Sequence, residues 1–246
     1  MTSTAQQDWL TESQEKPTDY FVRQFERPYR STIAFHRWLK AKGLFSGRIA
    51  DLACGMGAPL AYIASQEPHC QLVGIDFNPL LVKAGNEKLS GLSNVRLELG
   101  DIYNLSPEYV NQFDGLLSLQ TLSWLESYEK PLEQMAKINP KWMAISSLFY
   151  DGPVNATIQI QDYSKPTGGK RYKDAFYNVY SLPLLRDFLR GLGYLHFDFV
   201  PFEIDCDLEQ PQDKGMATYT EKLENGKRLQ LSGPLLMNWY FVFCAR

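Results

Sequence analysis

The fold is decided by the stretch Arg48–Leu60, which reads RIADLACGMGAPL. Its first residues are largely apolar, as expected of a buried strand, and an acid, Asp51, lies near the end of that strand. Two glycines, Gly55 and Gly57, follow in a short loop, where missing side chains let a ligand approach the backbone amides. Pro59 then suits the first turn of a helix. The stretch therefore predicts a strand, a ligand-binding loop and a helix.

The same alternation of strand and helix continues along the chain. Apolar strands are predicted at residues 48–54, 71–75, 94–99, 113–119, 142–149, 194–202 and 235–244, and helices at 59–66, 79–90, 128–138 and 182–192. Apolar strands separated by helices are typical of a parallel sheet that is covered on both faces. We therefore expect an α/β fold with a doubly wound, mostly parallel, seven-stranded sheet whose last strand pairs antiparallel.

Three segments depart from this alternation. Residues 1–16 are polar and predict a frayed tail, and residues 19–42 show an aromatic helical pattern that Pro28 divides in two. This segment is predicted either to cover the mouth of a site or to pack on the flank of the sheet. Insertions interrupt the rhythm at about 150–180 and 205–234, the second with an Asn-Gly hairpin signal at residues 225–226. We expect a single domain, with tail and helical lid in residues 1–46 and the core with both insertions in residues 47–246.

Composition excludes several classes of protein. With 246 residues, 44% hydrophobic and 22% charged, the chain has the composition of an ordinary globular protein. A net charge of −3 argues against nucleic acid as a partner, and no apolar run reaches membrane-spanning length. The first residues lack the pattern of a signal peptide, which predicts a cytoplasmic location. The four cysteines form no C-x-x-C pair, so no metal is expected. We expect a monomer or a homodimer.

Acidic residues recur where predicted strands end. In an open parallel sheet, ligands bind beyond the carboxyl ends of the strands, which selects Asp51–Gly57, Asp76, Asp101 and the segment 119–124. An acid at Asp76 suits the two hydroxyls of a ribose, although capping of the next helix is a rival explanation. Asp101 and Ile102 suit the amino group and the ring of an adenine. Together these positions predict a nucleoside-containing cofactor.

A nicotinamide cofactor would require a third glycine in the pattern G-x-G-x-x-G, where this chain has Leu60. The motif Asp51–Gly57 instead resembles the D/E-x-G-x-G-x-G motif of class I S-adenosylmethionine-dependent methyltransferases, with alanine at the first glycine position. Asp76, the segment 100–102 and the segment 113–120 resemble the later motifs of the same family. The resemblance is to members that act on small molecules.

The resemblance implies a Rossmann-like fold, S-adenosyl-L-methionine as cofactor and S-adenosyl-L-homocysteine as product. It also implies a set of cofactor-binding residues, to which Arg30 is added as a candidate partner of the cofactor's carboxylate. A surface arginine is the alternative for Arg30. The expected set is Asp51, Ala53, Gly55, Gly57, Asp76, Phe77, Asp101, Ile102, Gln120 and Arg30.

Residues on the acceptor side are less determined. Tyr29, His36 and Asp151 are the candidate catalytic residues, the first two on the early helical segment and Asp151 directly after the fifth strand. Packing is the alternative for His36. Tyrosines in the first insertion are expected either to line a substrate lid or only to pack together: Tyr163, Tyr172, Tyr177 and Tyr180. The basic loop 168–173 predicts either an anion contact or solvated charge.

The sequence thus predicts methyl transfer to oxygen or nitrogen of a small polar metabolite, such as a sugar derivative or an amine-bearing compound. Whether a general base takes part depends on the acceptor, because a hydroxyl must lose a proton and an amine needs only to arrive neutral. A protein that binds S-adenosylmethionine without catalysis is the second hypothesis, and a nicotinamide-dependent oxidoreductase is the third.

Overall fold

The computed structural model describes residues 19–164, 171–210, 212 and 214–246. The N-terminal tail and residues 168–170 of the basic loop lie outside this part of the chain. A seven-stranded sheet forms its centre. The strands are β1 (Arg48–Leu52), β2 (Gln71–Asp76), β3 (Val95–Leu99), β4 (Gly115–Leu119), β5 (Trp142–Ser147), β10 (His196–Phe202) and β14 (Trp239–Ala245).

The strand order across this sheet is β10-β14-β5-β4-β1-β2-β3. Strands β1 to β5 pair in parallel, whereas β14 pairs antiparallel with both β5 and β10. The order reverses between β1 and β4, and a sheet of this kind binds ligands at that switch point. The expected mostly parallel, doubly wound sheet is therefore confirmed, including the antiparallel last strand.

Six α-helices are described: α1 (Asp19–Glu26), α2 (Arg30–Ala41), α3 (Ala58–Gln66), α4 (Pro79–Leu89), α5 (Glu129–Lys137) and α6 (Leu182–Gly191). Because neighbouring residues of a strand point to opposite faces, the sheet carries two cores. Ala50 of β1 packs in the core that contains α5 and α6, while Ile49 packs with α2 and α3. Within the described residues, no helix is long and apolar enough to cross a membrane.

The two insertions form small sheets beside the main one. The first contains β7 (Gln159–Asp162) paired antiparallel with β8 (Lys173–Phe176). The second contains β11 (Thr218–Lys222) and β12 (Arg228–Ser232), joined by the predicted hairpin, and β13 (Leu235–Leu236) beside them. Both insertions follow strands of the main sheet on the side where the site is expected.

Three predicted strands are cut short or divided where the backbone leaves the main sheet. The first ends at Leu52, because Ala53 has a φ of 57°, which leaves the extended region. The fifth ends at Ser147, and β6 (Phe149–Tyr150) turns away to pair with β9 (Tyr180–Ser181). The predicted strand 235–244 is divided, since Leu235–Leu236 joins the insertion and only Trp239–Ala245 joins the main sheet. Apolar composition is the same on both sides of these breaks, so it did not reveal them.

Candidate functional site

A cavity of about 580 Å³ opens beyond the carboxyl ends of the parallel strands. Its volume lies within the range of pockets for small ligands. The floor comes from the ends of β1, β2, β4 and β5, and the walls come from α1, the start of α2, β7, β8 and the second insertion. The residues that line it include Tyr20, Phe21, Arg23, Tyr29, Ser31, Thr32, Asp51, Ala53, Gly55, Met56, Asp76, Phe77, Asp101, Ile102, Gln120, Trp124, Ser146, Ile160, Asp162, Lys173, Ala175 and Met216.

The glycine loop winds through left-handed backbone conformations. Ala53, Gly55 and Gly57 have φ values of 57°, 58° and 75°. The amides of Ala53 and Cys54 both donate to the carbonyl of Ile75, at 2.8 and 3.3 Å, which ties the loop to β2. This shape requires little or no side chain at each position. The loop therefore presents bare backbone at the base of the cavity.

Asp76 holds the loop from the end of β2. One of its carboxylate oxygens accepts from the Gly55 amide at 2.8 Å, and the other accepts from the Asn78 amide at 2.9 Å. Helix α4 is capped by the side chain of Asn78, which accepts from the amides of Leu80 and Leu81. Asp76 is thus not the helix cap. Burial, offset in part by these amides, raises its pKa to about 6.

Asp51 lies 1% exposed at the end of β1, and its Oδ1 has no hydrogen-bond partner among the described residues. Burial, reinforced by the charge of Asp76, raises the pKa of Asp51 to about 8. The hydroxyl of Ser146, at the end of β5, is equally buried and also lacks a described partner. Buried polar groups are normally hydrogen-bonded, so these two cavity-lining groups fit a polar ligand. A cationic group suits the carboxylate.

The other strand ends complete the cavity floor. Asp101 follows β3, and its side chain accepts from the Tyr103 amide at 2.9 Å. Ile102 beside it is buried and presents an apolar surface. Gln120 follows β4 with a φ of 56°, and its side-chain amide donates to the Ser31 hydroxyl at 3.2 Å. That bond joins the start of α2 to the switch point of the sheet.

Helix α1 forms part of the cavity roof. Phe21 is buried against the glycine loop, and a Cβ placed on Gly55 would lie 2.7 Å from its ring. Phe21 packs in a small apolar cluster with Met56 and Leu81. Of the segment 19–42, residues of α1 line the cavity, whereas most of α2 packs on the sheet.

Eight of the ten expected cofactor-binding residues line the cavity: Asp51, Ala53, Gly55, Asp76, Phe77, Asp101, Ile102 and Gln120. Gly57 shapes the loop from outside the lining, as the residue that precedes α3. Arg30 also lies outside, since its exposed guanidinium forms an ion pair with Asp205 at 3.4 Å. The expected contact between Arg30 and a cofactor carboxylate is not part of this geometry.

Among the three candidate catalytic residues, only Tyr29 lines the cavity. His36 is buried in the protein, where its Nε2 lies 2.7 Å from Glu67 and its ring packs on Phe45. Asp151 is exposed, in the turn that follows β6. The structure therefore brings neither His36 nor Asp151 into the site. His36 points from α2 toward Glu67 and Phe45, and Asp151 follows β6, which leaves the main sheet.

The tyrosines of the first insertion pack rather than line the cavity. Tyr177 stacks near Trp124 with ring centroids 4.8 Å apart, and the Tyr180 hydroxyl donates to the Leu125 carbonyl at 3.0 Å. Tyr163 and Tyr172 pair with each other at 5.1 Å. The insertion instead contributes residues that its composition did not single out: Ile160, Asp162, Lys173 and Ala175.

Other lining residues also went unpredicted, among them Phe21, Ser31, Thr32, Ser146 and Met216. Phe21 belongs to the aromatic pattern of the first helices, which was the available signal. The acids of the second insertion engage arginines: Asp205 pairs with Arg30, and Asp207 with Arg228 at 2.7 Å.

The strand order, the glycine loop and the acids at successive strand ends are those of the class I S-adenosylmethionine-dependent methyltransferase fold. The cofactor of this class is S-adenosylmethionine, and its product is S-adenosylhomocysteine. In agreement, residues 49–139 match the family model described as a methyltransferase domain. The match begins in β1 and ends just after α5, so it contains the glycine loop, Asp76 and Asp101.

Parts of the chain are also similar in sequence to known proteins. The chain is 35% identical over 89 residues to trans-aconitate 2-methyltransferase of Deinococcus radiodurans, covering 36% of this chain and 32% of that protein. It is 31% identical over 125 residues to an uncharacterized protein of Rickettsia prowazekii, covering 49% of this chain and 50% of the other. The chain thus spans half the length of these curated relatives or less.

Among solved structures, the fold resembles magnesium protoporphyrin IX methyltransferase from Synechocystis PCC 6803 with bound S-adenosylhomocysteine. The TM-score is 0.52 at 14% sequence identity, and the alignment covers 88% of this chain and 82% of the other. At this identity the likeness is one of fold.

Proposed function

We propose that this chain transfers a methyl group from S-adenosylmethionine to oxygen or nitrogen of a small polar metabolite. A sugar derivative or an amine-bearing compound is the acceptor class that the sequence favours. One observation carries the proposal: a single cavity is lined both by the acids of the cofactor motifs and by a partly aromatic set of residues from other segments. A site of this kind can hold two small molecules side by side.

The cofactor-side residues fit the nucleoside and amino acid parts of S-adenosylmethionine. Asp76 lies where it can accept from ribose hydroxyls, and Asp101 with Ile102 can accept from and pack against an adenine. The unpartnered Oδ1 of Asp51 suits the cofactor's ammonium group. When bound, S-adenosylmethionine would supply a methyl group already activated by its sulfonium.

The acceptor compartment is walled by Tyr20, Tyr29, Trp124, Ile160, Ala175 and Met216; we call it the acceptor chamber. Its walls come from α1, the α1–α2 linker, β7, β8 and the second insertion. Such walls exclude water and orient an acceptor, and positioning of this kind accounts for much of the acceleration in transfer from an activated donor. The relative named trans-aconitate 2-methyltransferase is consistent with a small-molecule acceptor.

Within the acceptor chamber, Tyr29 is a donor rather than a base at neutral pH. Burial raises the pKa of its phenol, so the hydroxyl keeps its proton. An acceptor amine would need only to arrive neutral, and an acceptor hydroxyl would need a base. Because Tyr29 holds its proton, we propose a binding role for it.

The proposal also locates the reaction in the cytoplasm, with the chain acting as a monomer or homodimer and without a nucleic acid or a membrane as partner. The four cysteines, Cys54, Cys70, Cys206 and Cys244, are all free thiols, which suits a reducing compartment. The net charge of −3 gives no electrostatic reason for binding to nucleic acid.

The cofactor is tested by thermal shift and calorimetry. S-adenosylmethionine and S-adenosylhomocysteine should each raise the melting temperature, because a ligand that binds only the folded state stabilises it. Asp76→Ala should remove the shift, whereas Asp187→Ala, at an exposed position of α6, should leave it unchanged. A shift with NAD and with neither of the sulfur compounds would refute the proposal.

Catalysis is tested separately, by screening small hydroxyl and amine compounds for acceptor-dependent release of S-adenosylhomocysteine. If the protein binds the cofactor tightly but none of the acceptors in the panel leads to release of S-adenosylhomocysteine, the result favours the non-catalytic hypothesis.

A further inference from the structure

Among the described residues, two cationic side chains line the cavity, Arg23 and Lys173, and their surroundings differ. Asp162 and Lys173 are paired in the register of β7 and β8, and both residues line the cavity. Asp162 also accepts from the backbone amide and the hydroxyl of Ser164, at 2.9 and 2.6 Å. One acid and one base of the β7–β8 hairpin thus line the cavity, and their formal charges cancel.

Arg23 also lines the cavity, from the last turn of α1. Its Nε donates to the backbone carbonyl of Asp19 at 3.3 Å, which fixes the guanidinium against its own helix. Among the described residues, no side chain accepts a hydrogen bond from its two terminal nitrogens. A guanidinium held in this way offers a planar pair of donors, the geometry that a carboxylate matches with two parallel hydrogen bonds.

Tyr29 lies near Arg23 in the same cavity wall. The two residues interact electrostatically, since the charge of Arg23 acts to lower the pKa of the Tyr29 phenol against the larger effect of burial. The phenol remains protonated and can donate a further hydrogen bond. A cation beside a neutral hydroxyl is complementary to an anion and unsuited to an ammonium group.

Among the described residues, five acids line the cavity, with Asp19 one turn before Arg23 on α1 and Asp162 on the β7–β8 hairpin. Asp51, Asp76 and Asp101 lie at the strand ends, on the cofactor side. A negatively charged acceptor group at Arg23 would avoid their repulsion, while the aromatic walls would bury its apolar body.

We propose that the acceptor carries a carboxylate, which Arg23 binds with its terminal nitrogens and Tyr29 with its hydroxyl at the rim of the acceptor chamber. This inference rests on the proposed function and narrows its acceptor class to small carboxylic acids, amino acids and sugar acids included. The carboxylate serves as a handle that orients the acceptor.

The test measures binding of simple carboxylates to the protein saturated with S-adenosylhomocysteine. The probes are benzoate, trans-cinnamate and succinate, each compared with its uncharged amide of nearly equal shape. We expect at least one carboxylate to bind at least about tenfold more tightly than its amide, which corresponds to about 1.4 kcal/mol. The preference should weaken as salt is raised, because Arg23 is exposed to solvent.

Variants of Arg23 test whether this residue causes the preference for carboxylates over amides. Arg23→Gln should abolish the preference for the carboxylate while changing affinity for S-adenosylhomocysteine less than about twofold, and Arg23→Lys should keep part of it. Arg37→Gln is the matched control, since Arg37 is an exposed arginine of α2 outside the cavity lining.

Three results would overturn the inference: amides that bind as tightly as carboxylates, an Arg23→Gln protein that keeps the preference, or no saturable carboxylate binding up to about 10 mM, a weak limit for a substrate handle. Each is distinct from failure of the proposed function, which would show as loss of S-adenosylhomocysteine binding by the unaltered protein.

Discussion

Ala53 is the residue of the glycine loop that carries backbone strain. Its φ of 57° lies in the left-handed region, where the Cβ of an L-amino acid crowds the following carbonyl oxygen at a cost of roughly 1–2 kcal/mol. A hydrogen bond from the Ala53 amide to the Ile75 carbonyl holds the residue in this left-handed conformation. The family motif has glycine at this position, and the structure shows the physical reason for that glycine.

Replacing Ala53 with glycine should therefore stabilise the protein. The strain energy that glycine relieves is larger than the entropic cost of ordering its more flexible backbone. The free energy of unfolding should therefore rise by up to about 1 kcal/mol. Urea denaturation of the cofactor-free protein measures it. Ala50→Gly, in the buried part of β1, is the matched control and should destabilise instead. A loss of stability in Ala53→Gly would show that the loop is not strained.

Helix α1 depends on one aromatic contact for its place over the site. Phe21 is its buried residue, and it covers Gly55. Helices as short as this eight-residue segment are unstable alone in water, so packing supplies most of the stability.

Phe21→Ala should release α1 without unfolding the sheet. Hydrogen–deuterium exchange of residues 19–26 should become fast, while exchange of β1, β4 and β5 stays slow, because local opening requires less free energy than global unfolding. Affinity for S-adenosylhomocysteine should fall by about tenfold, equivalent to about 1.4 kcal/mol. Tyr20→Ala, which removes an exposed ring of the same helix, should leave exchange of α1 nearly unchanged. Slow exchange of α1 in Phe21→Ala would contradict the anchoring role.

Asn178 attaches the first insertion to the core. Its side chain is fully buried, donates to the Leu125 carbonyl at 2.8 Å and accepts from the Ile158 amide at 2.9 Å. Its own amide donates to the Ser123 carbonyl at 2.8 Å. The residue thus connects the segment before β7 to the segment after β4.

Asn178→Ala should destabilise the protein by about 2 kcal/mol or more, because buried partners at Leu125 and Ile158 lose their hydrogen bonds. Exchange in β7 and β8 should also become faster than in the unaltered protein. Thermal and urea unfolding measure the first effect. Gln161→Ala, an exposed position of β7, serves as the control and should change stability little. If both substitutions change stability equally little, Asn178 does not attach the first insertion to the core.

Over the whole molecule, two buried acids make stability depend on pH. Asp51 and Asp76 have pKa values raised to about 8 and about 6, well above the ordinary value of 3.8. A raised pKa means that the folded protein binds these protons more tightly than the unfolded chain does. The stability that they contribute is complete below about pH 4 and is lost as pH rises toward 8.

The cofactor-free protein should therefore lose stability between pH 6 and pH 8, because Asp51 ionises in this range, after Asp76. Asp51→Asn should flatten this part of the curve and be more stable than the unaltered protein at pH 8 by at least about 1 kcal/mol, or about 2–4 °C in melting temperature. Urea unfolding at the two pH values measures the difference. Stability that rises from pH 6 to pH 8 equally in both proteins would refute the account.

The fold was largely predictable because its signals are local. The loop glycines, the helix-starting prolines Pro59 and Pro79 and the strand-ending acids each act within a few residues. Apolar strands that alternate with helices leave few arrangements other than a parallel, doubly wound sheet. Strand ends were less predictable. The chain leaves β5 near Leu148, whose amide donates to the Ser123 hydroxyl at 3.0 Å, a contact between residues far apart in sequence.

By itself, the sequence predicted the fold and most of the cavity-lining residues at the strand ends. Those residues follow strands of a parallel sheet, and that topology brings the strand ends together without further information. The acceptor side was decided by tertiary structure alone. Arg23, Ile160 and Met216 come from three separate segments, and the turn of α2 carries His36 away from the cavity. No short-range rule fixes how such segments meet, because their packing depends on contacts between distant parts of the chain.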